Sequence, residues 1–315
     1  MDRSVPSTPS VNAAGSSRRA PVVRRSVLIV PANVERFTAR AADRGADAVM
    51  LDLEDSIPLD QKDAARGSVM TYIARIAGRG YEVLVRVNSD FPSLIADLDV
   101  AVSPGVDAIG LPKVESARDV IVADALIAER EVRRGLARGA IGLAVVIESA
   151  RALGALDEIL GASERIETVE LGIEDLCVDL GIAPSRDGTE LRPSQHALIL
   201  AARRAAVEPL GMASTLAHYD DAAATLHSIA IARDLGFRGA SCIHPSQIPP
   251  LNEIFSPSSE QIAHAHRVIA TDAEARRVGR GSASLAGMMI DAPVVKRAER
   301  LLARADLIAR RTRPT

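Results

Sequence analysis

Apolar and polar positions along this chain fall into alternating blocks. From residue 26 onward, short runs rich in Val, Ile and Leu are each followed by a longer stretch whose apolar residues recur at helical spacing. The runs are SVLIVP (26–31), AVMLDLED (48–55), EVLVRVN (82–88), AIGLPKV (108–114), IGLAVVIES (141–149), TVELGIED (168–175), EPLGMAS (208–214) and GASCIHP (239–245). Between them lie segments such as VERFTARAADRG, DQKDAARGSVMTYIARIAG and SARDVIVADALIAEREVRRG, with Gly45, Gly80 and Gly236 where helices prefer to end. Eight strand–helix units predict a parallel sheet covered by helices, and eight is the number that closes a (β/α)8 TIM barrel. A doubly wound open sheet is the alternative.

The blocks also divide the chain. Residues 1–24, rich in Ser, Pro, Ala and Arg and without an apolar signal core, read as a disordered tail, with a transit peptide as the alternative. Residues 25–278 carry the barrel. Residues 279–315 begin with GRGSAS, a flexible hinge, and continue through SLAGMMIDAPVVKRAERLLARADLIARR, expected to form a helical lid or oligomerisation segment.

Alternation within the runs assigns faces. Leu143, Val145 and Ile147 share the helix-facing side, which turns Glu148 into the barrel. Val49, Leu51 and Leu53 likewise leave Asp52 and Glu54 inward, and Val83, Val85 and Val87 leave Arg86 inward. In the sixth run parity favours Glu174 over Asp175, and Lys113 shares parity with the apolar Ile109 and Leu111. Six runs nonetheless end in titratable groups, and in a barrel all C-terminal strand ends open on one catalytic face.

Composition narrows the chemistry. A net charge of -3 argues against a partner made of nucleic acid or anionic membrane, and 2% aromatic residues with no Trp argue against base-stacking platforms. Two unpaired-looking cysteines, Cys177 and Cys242, and no apolar run of membrane length point to a cytoplasmic protein. No Gly-rich phosphate loop follows any strand. Several oxygen ligands without a His/Cys cluster suit Mg²⁺, or Mn²⁺, better than Zn²⁺. Glu148 with one acid of the sixth run would hold such an ion. Arg86 beside it would grip a substrate carboxylate, giving a pocket for a 2-oxo acid that can stabilise an enolate. For Glu54 and Asp55, a salt-bridge network with Lys62 and Arg66 is weighed equally with a supporting role at the site. His244 reads as a structural residue.

The ordered motifs LDLEDSIPLDQKDAAR, VRVN, LPKVES, VVIESA, LGIEDLCVDLG, GFRGASCIHPSQI, FSPSSEQI and MMIDAP resemble the citrate lyase β-subunit family, also called the HpcH/HpaI aldolase and CoA-ester lyase family. The resemblance implies a Mg²⁺-dependent (β/α)8 barrel, assembled as a trimer or hexamer, that cleaves or forms a carbon–carbon bond between a CoA thioester enolate and a 2-oxo acid. It implies Glu148 and Asp175 as metal ligands, so choosing Asp175 where parity leaned to Glu174. Arg86 would bind the oxo acid, and Asp291 would be the acid–base group, delivered by a neighbouring subunit. Glu54, Asp55, Lys62, Arg66 and Lys113 would support them, and Arg25 is a guess for the CoA site. Three positions depart from the family pattern: Ala32 for a usual glycine, Gly211 for a common aspartate, and Ala286 for a common acidic residue. The substrate is expected to be a malyl-, citramalyl- or citryl-type CoA thioester. The alternatives are a citrate lyase β subunit served by an acyl carrier protein, an aldolase on free hydroxy-oxo acids, and a non-catalytic scaffold.

Overall fold

The computed structural model describes residues 22–77, 79–215, 217 and 219–312. Eight strands form one parallel sheet: β1 (Ser26–Pro31), β2 (Ala48–Asp52), β3 (Glu82–Arg86), β4 (Ala108–Leu111), β5 (Gly142–Ile147), β6 (Ile166–Leu171), β7 (Glu208–Leu210) and β8 (Ala240–Cys242). β1 pairs with both β2 and β8, which excludes the doubly wound alternative. The remaining seam between β7 and β8 is joined by Arg238 N–H to Pro209 O (2.9 Å) and Gly211 N–H to Gly239 O (2.8 Å). The fold is a (β/α)8 TIM barrel. Gly211 sits at that seam with φ 153°, and a Cβ there would lie 3.0 Å from the Phe237 ring, so a side chain is disfavoured at this point of the closure.

The alternation read from the sequence sorts side chains into two layers. Val49, Leu51, Val83, Val85, Ile109, Leu143, Ile147 and Val169 join the helices in the large outer core. Val27, Ala48, Met50, Leu84, Ala108, Ala144 and Leu210 form a smaller cluster inside the barrel. Burial of the larger outer side chains contributes roughly 1.5–3 kcal/mol each. Helices start where the sequence supplies caps: Ser116 and Asp119 form a capping box for Ala117–Arg133, and Asp90 caps Phe91–Ala101.

Every run yields its strand, but the strands stop short of the runs' polar ends. The second run leaves the ladder after Asp52 because the Asp52 carboxylate accepts from the N–H groups of Glu54 (3.0 Å) and Ser56 (3.2 Å). The sixth ends at Leu171, and Glu174 and Asp175 lie in the first turn of the helix Ile173–Leu180. Strand parity therefore had no bearing on which of the two acids faces the site.

The N-terminal boundary also shifts. Residues 1–21 of the expected tail lie outside the described residues. Val23 and Arg24 are buried, and Arg24 pairs with Glu82 and Glu167, both at 2.6 Å. Arg25 is bound to Asp47 (2.7 Å) at the N-terminal end of β1, the barrel end opposite the mouth, so the guess that it serves CoA there is set aside.

The C-terminal segment stands outside the eight units. A hairpin, β9 (Ala283–Leu285) and β10 (Met288–Ile290), and the helix Ala292–Thr312 share an apolar cluster with Ala265 and Val268 of the helix Ser259–Arg277. Arg311 near the end of the last helix reaches Glu82 (2.5 Å) and the Val23 carbonyl (3.2 Å), and so anchors the segment to the barrel's N-terminal face. It does not form a lid over the mouth of its own barrel. Among the described residues no helix is long and apolar enough to cross a membrane, and Cys177 and Cys242 are free and buried.

Candidate active site

At the C-terminal end of the strands, a cavity of about 710 Å³ is lined by Asp52, Arg86, Glu148, Glu174, Asp175 and His244, among others. These residues are brought to one place by five different strand–helix units, as the expected common mouth requires. Asp291 and the rest of the C-terminal segment do not line it.

Glu148 follows β5 directly and is buried. Its Oε2 accepts the backbone N–H of Lys113 at 2.5 Å. Its other side lies against Gly172, where a Cβ would stand 2.4 Å from Glu148 Cγ, so only glycine leaves room for this carboxylate. Burial pushes the Glu148 carboxyl up to about 7. The Lys113 N–H works against that shift, while the charges of Asp175 and Glu54 add to it. Asp175 is thus the sixth-unit acid whose charge Glu148 feels. Glu174 is bound by the hydroxyl of Thr215.

Arg86 ends β3 opposite Asp52, its register partner on β2. Asp52 accepts from Nε (2.7 Å) and Nη2 (2.8 Å), a two-pronged pair. Burial opposes the charge of both groups, but their mutual attraction outweighs it, raising the arginine and lowering the aspartate. The sequence reading gave Arg86 to a substrate carboxylate and no role to Asp52. The structure shows that one edge of the guanidinium is already taken. The edge between Nη1 and Nη2 is stereochemically suited to a second carboxylate, and Glu54 Oε2 stands 3.3 Å from Nη1. That oxygen is buried without a hydrogen-bond partner.

Lys113 breaks the pleat after β4 with φ 51°, which explains why parity misjudged it. Its ammonium binds Glu54 and, at 2.8 Å, Asp55. The expected network of Glu54 and Asp55 with Lys62 and Arg66 is not formed. Lys62 reaches past those carboxylates to the carbonyls of Leu53 (2.9 Å) and Glu54 (2.7 Å) and to Asn88 (2.6 Å), tying down the end of β2. Arg66 pairs with Asp97 (2.6 Å). His244 caps a short turn through Ser246 and stacks on Tyr219 at 4.9 Å, as a structural residue would, while also lining the cavity. Sequence reasoning missed Glu170, buried on β6 and bonded to Ser241. Its parity with the inward Thr168 was the available signal.

The donor set fits a hard divalent cation. Two carboxylates that repel each other across the mouth are relieved by a positive ion between them. No group of three or more His, Cys, Asp or Glu side chains gathers as a cage among the described residues. Two protein carboxylates, with water and substrate oxygens completing the shell, are what Mg²⁺ ordinarily takes.

Fold and site together define a (β/α)8-barrel enzyme with an acidic, guanidinium-flanked mouth. The chain belongs to the HpcH/HpaI aldolase/citrate lyase family, whose model matches residues 25–245, and is thereby a carbon–carbon lyase. It is 36% identical over 295 residues to the citrate lyase subunit beta of Escherichia coli, covering 93% of this chain and 97% of that one. It is 28% identical to the L-malyl-CoA/beta-methylmalyl-CoA lyase of Rhodobacter capsulatus, covering 90% and 95%. Among solved structures, protein CitE from Mycobacterium tuberculosis in complex with magnesium, acetoacetate and coenzyme A superposes with a TM-score of 0.71 at 30% identity, covering 89% of this chain and 97% of that one. The citrate lyase beta subunit complexed with oxaloacetate and magnesium from the same organism gives 0.60 at 26%, covering 75% and 98%.

Proposed function

We propose that this protein is a Mg²⁺-dependent lyase of 3-hydroxyacyl-CoA thioesters of the malyl, citramalyl or citryl type, yielding an acyl-CoA and a 2-oxo acid. The observation that carries the reading is the pair Glu148 and Asp175 in one cavity with the Asp52-clamped Arg86. Glu148 and Asp175 hold Mg²⁺, with Mn²⁺ as a substitute. A cation bound there polarises the oxo-acid carbonyl as a Lewis acid. Arg86, fixed by Asp52, orients the substrate carboxylate with its remaining edge, and the apolar walls exclude water from the enolate.

In the cleavage direction the hydroxyl proton passes to solvent, which reprotonates the acid group after turnover, as the carbonyl forms and the adjacent carbon–carbon bond breaks. The carbon–carbon electron pair passes to the thioester as an enolate, and a proton is returned to the enolate carbon. Asp291 supplies that proton from a neighbouring copy in a homotrimer or hexamer. Its position at the head of a helix anchored away from its own mouth supports delivery in trans. A cytoplasmic location belongs to the same proposal.

The higher identity to citrate lyase subunit beta than to malyl-CoA lyase favours a second reading, a β subunit that takes its thioester on an acyl carrier protein. Purified chain with Mg²⁺ and each CoA thioester distinguishes the two. The first reading expects stoichiometric oxo acid from CoA esters alone. Turnover only of the carrier-bound thioester contradicts it.

A further inference from the structure

Three contacts fix His244 where β8 opens on the mouth. Gln247, buried behind it, accepts the backbone N–H groups of Ile243 (3.0 Å) and His244 (3.1 Å). Tyr219 stacks on the ring face, with centroids 4.9 Å apart and planes 19° apart. Nδ1 accepts the backbone N–H of Ser246 at 3.2 Å, and the Ser246 hydroxyl lies 2.7 Å away on the same side.

The Ser246 contact assigns the tautomer. A backbone N–H only donates, so Nδ1 holds a lone pair and the ring proton sits on Nε2. That Nε2–H has no partner among the described residues. The ring is exposed and lines the same cavity as Arg86, Glu148 and Asp175. Capping alone asks only for an acceptor, which Asp90 and Ser258 supply at other helix starts. The free Nε2–H is not accounted for by the cap. It is a neutral donor, fixed in place at the catalytic cavity.

Charge along the cavity orients a CoA ester past this donor. Arg86 of β3, Glu148 after β5 and Asp175 after β6 take the oxo-acid end. At the other end Arg36, Arg40 and Arg44 recur every fourth residue along the helix Glu35–Ala41 and the turn that follows it. All three are exposed and line the cavity, and among the described residues none has a carboxylate partner. They draw the phosphates of the CoA arm. In the ring of strands β8 stands between β6 and β1, and that helix directly follows β1. The thioester carbonyl joins the two ends of the substrate, so it is carried along the β8 side, past His244.

We propose that His244 is a further catalytic residue: its Nε2–H donates a hydrogen bond to the thioester oxygen as the carbon–carbon electron pair moves onto the thioester. The charge developing on that oxygen is met by a fixed dipole, where Pro31, Ile243 and Pro245 otherwise line the wall. No proton leaves His244, and the enolate carbon takes its proton from the acid group already named. This inference rests on the lyase reading above and adds the group that holds the enolate oxygen.

Two variants separate the donor from the cap. In His244→Asn the amide oxygen still accepts the Ser246 N–H, as capping asparagines do, but nothing reaches the Nε2 position. In His244→Gln the amide nitrogen reaches that position and the cap is lost. Both are compared as full-length, Mg²⁺-loaded protein on malyl- and citramalyl-CoA. His244→Asn should melt within about 3 °C of wild type. Its kcat should fall on the order of 100-fold at a KM within about threefold. His244→Gln should melt lower yet turn over about tenfold faster than His244→Asn. The reverse order, with His244→Asn near wild type and His244→Gln impaired, is what a purely structural histidine gives, and it overturns the proposal.

Binding gives a second readout. Calorimetry compares acetyl-CoA with its S-ethyl thioether, which lacks the carbonyl. Wild type should bind the thioester about fivefold more tightly, and His244→Asn should bind both alike. Equal affinities in wild type overturn the contact. If no thioester is cleaved, the lyase reading fails and this comparison still tests the contact. It also decides alone, on wild type, if His244→Asn does not fold.

Discussion

The backbone N–H of Lys113 meets Oε2 of Glu148 at 2.5 Å, and Lys113 adopts a left-handed conformation, φ 51°, at that point. For a non-glycine residue that conformation costs about 1 kcal/mol. Lys113→Gly should therefore keep the N–H in place and relieve the strain while removing the ammonium from Glu54 and Asp55. Calorimetry should find Mg²⁺ affinity within about threefold of wild type, whereas Glu148→Gln should abolish binding. Loss of binding in the glycine variant would mean that the side chain, rather than the amide, holds the site.

Because the metal-free Glu148 carboxyl is pushed up to about 7, a proton competes with the cation. Mg²⁺ affinity should be about tenfold weaker at pH 6 than at pH 8. The linkage has a defined sign. A carboxyl whose folded pKa exceeds its unfolded value binds more protons in the folded state between the two. The metal-free protein thus loses stability as pH rises from about 4.5 to about 7. Thermal melts with and without saturating Mg²⁺ should diverge over that window.

Gly172 has a φ open to any residue, -79°, so the cost of a side chain there is collision with Glu148 alone. Gly172→Ala should weaken Mg²⁺ binding at least about tenfold. Adding Glu148→Ala should restore most of the lost stability without restoring the metal. Melts of the single and double variants decide this.

Delivery of Asp291 from a neighbour makes a prediction that a self-contained site does not. Asp291→Asn and Glu148→Gln proteins, each inactive, should regain activity when unfolded and refolded together. Random mixing leaves about a quarter of the sites with both intact groups, given one acid donor per site. No recovery would place the acid–base group in the same chain.

Arg86→Ala leaves Asp52 buried without its partner. A stability loss of about 3 kcal/mol is expected, reduced in Arg86→Ala/Asp52→Ala. Denaturant unfolding measures both.

The strands were legible because barrel strands with one helix-packed face keep strict alternation, as Val49, Leu51 and Leu53 do. The same rule placed Asp52, Arg86 and Glu148 inward. It failed where the backbone leaves the pleat. Asp175 is helical, and Lys113 turns through a left-handed residue. No periodicity records either. The Asp52–Arg86 clamp depends on register between β2 and β3, and Lys62 binds backbone carbonyls instead of the nearby acids. Such pairings are set by three-dimensional reach, which spacing along the chain does not contain. The resemblance to the family supplied Asp175, and the charge felt by Glu148 supports that choice.

The most direct test of the account is anomalous diffraction from crystals soaked in Mn²⁺. One peak is expected in each barrel mouth, about 2.2 Å from a carboxylate oxygen of Glu148 and of Asp175. An ordered mouth with no peak there, or a peak bound by Glu174 or Glu54 in place of either acid, would contradict the metal-dependent lyase described above.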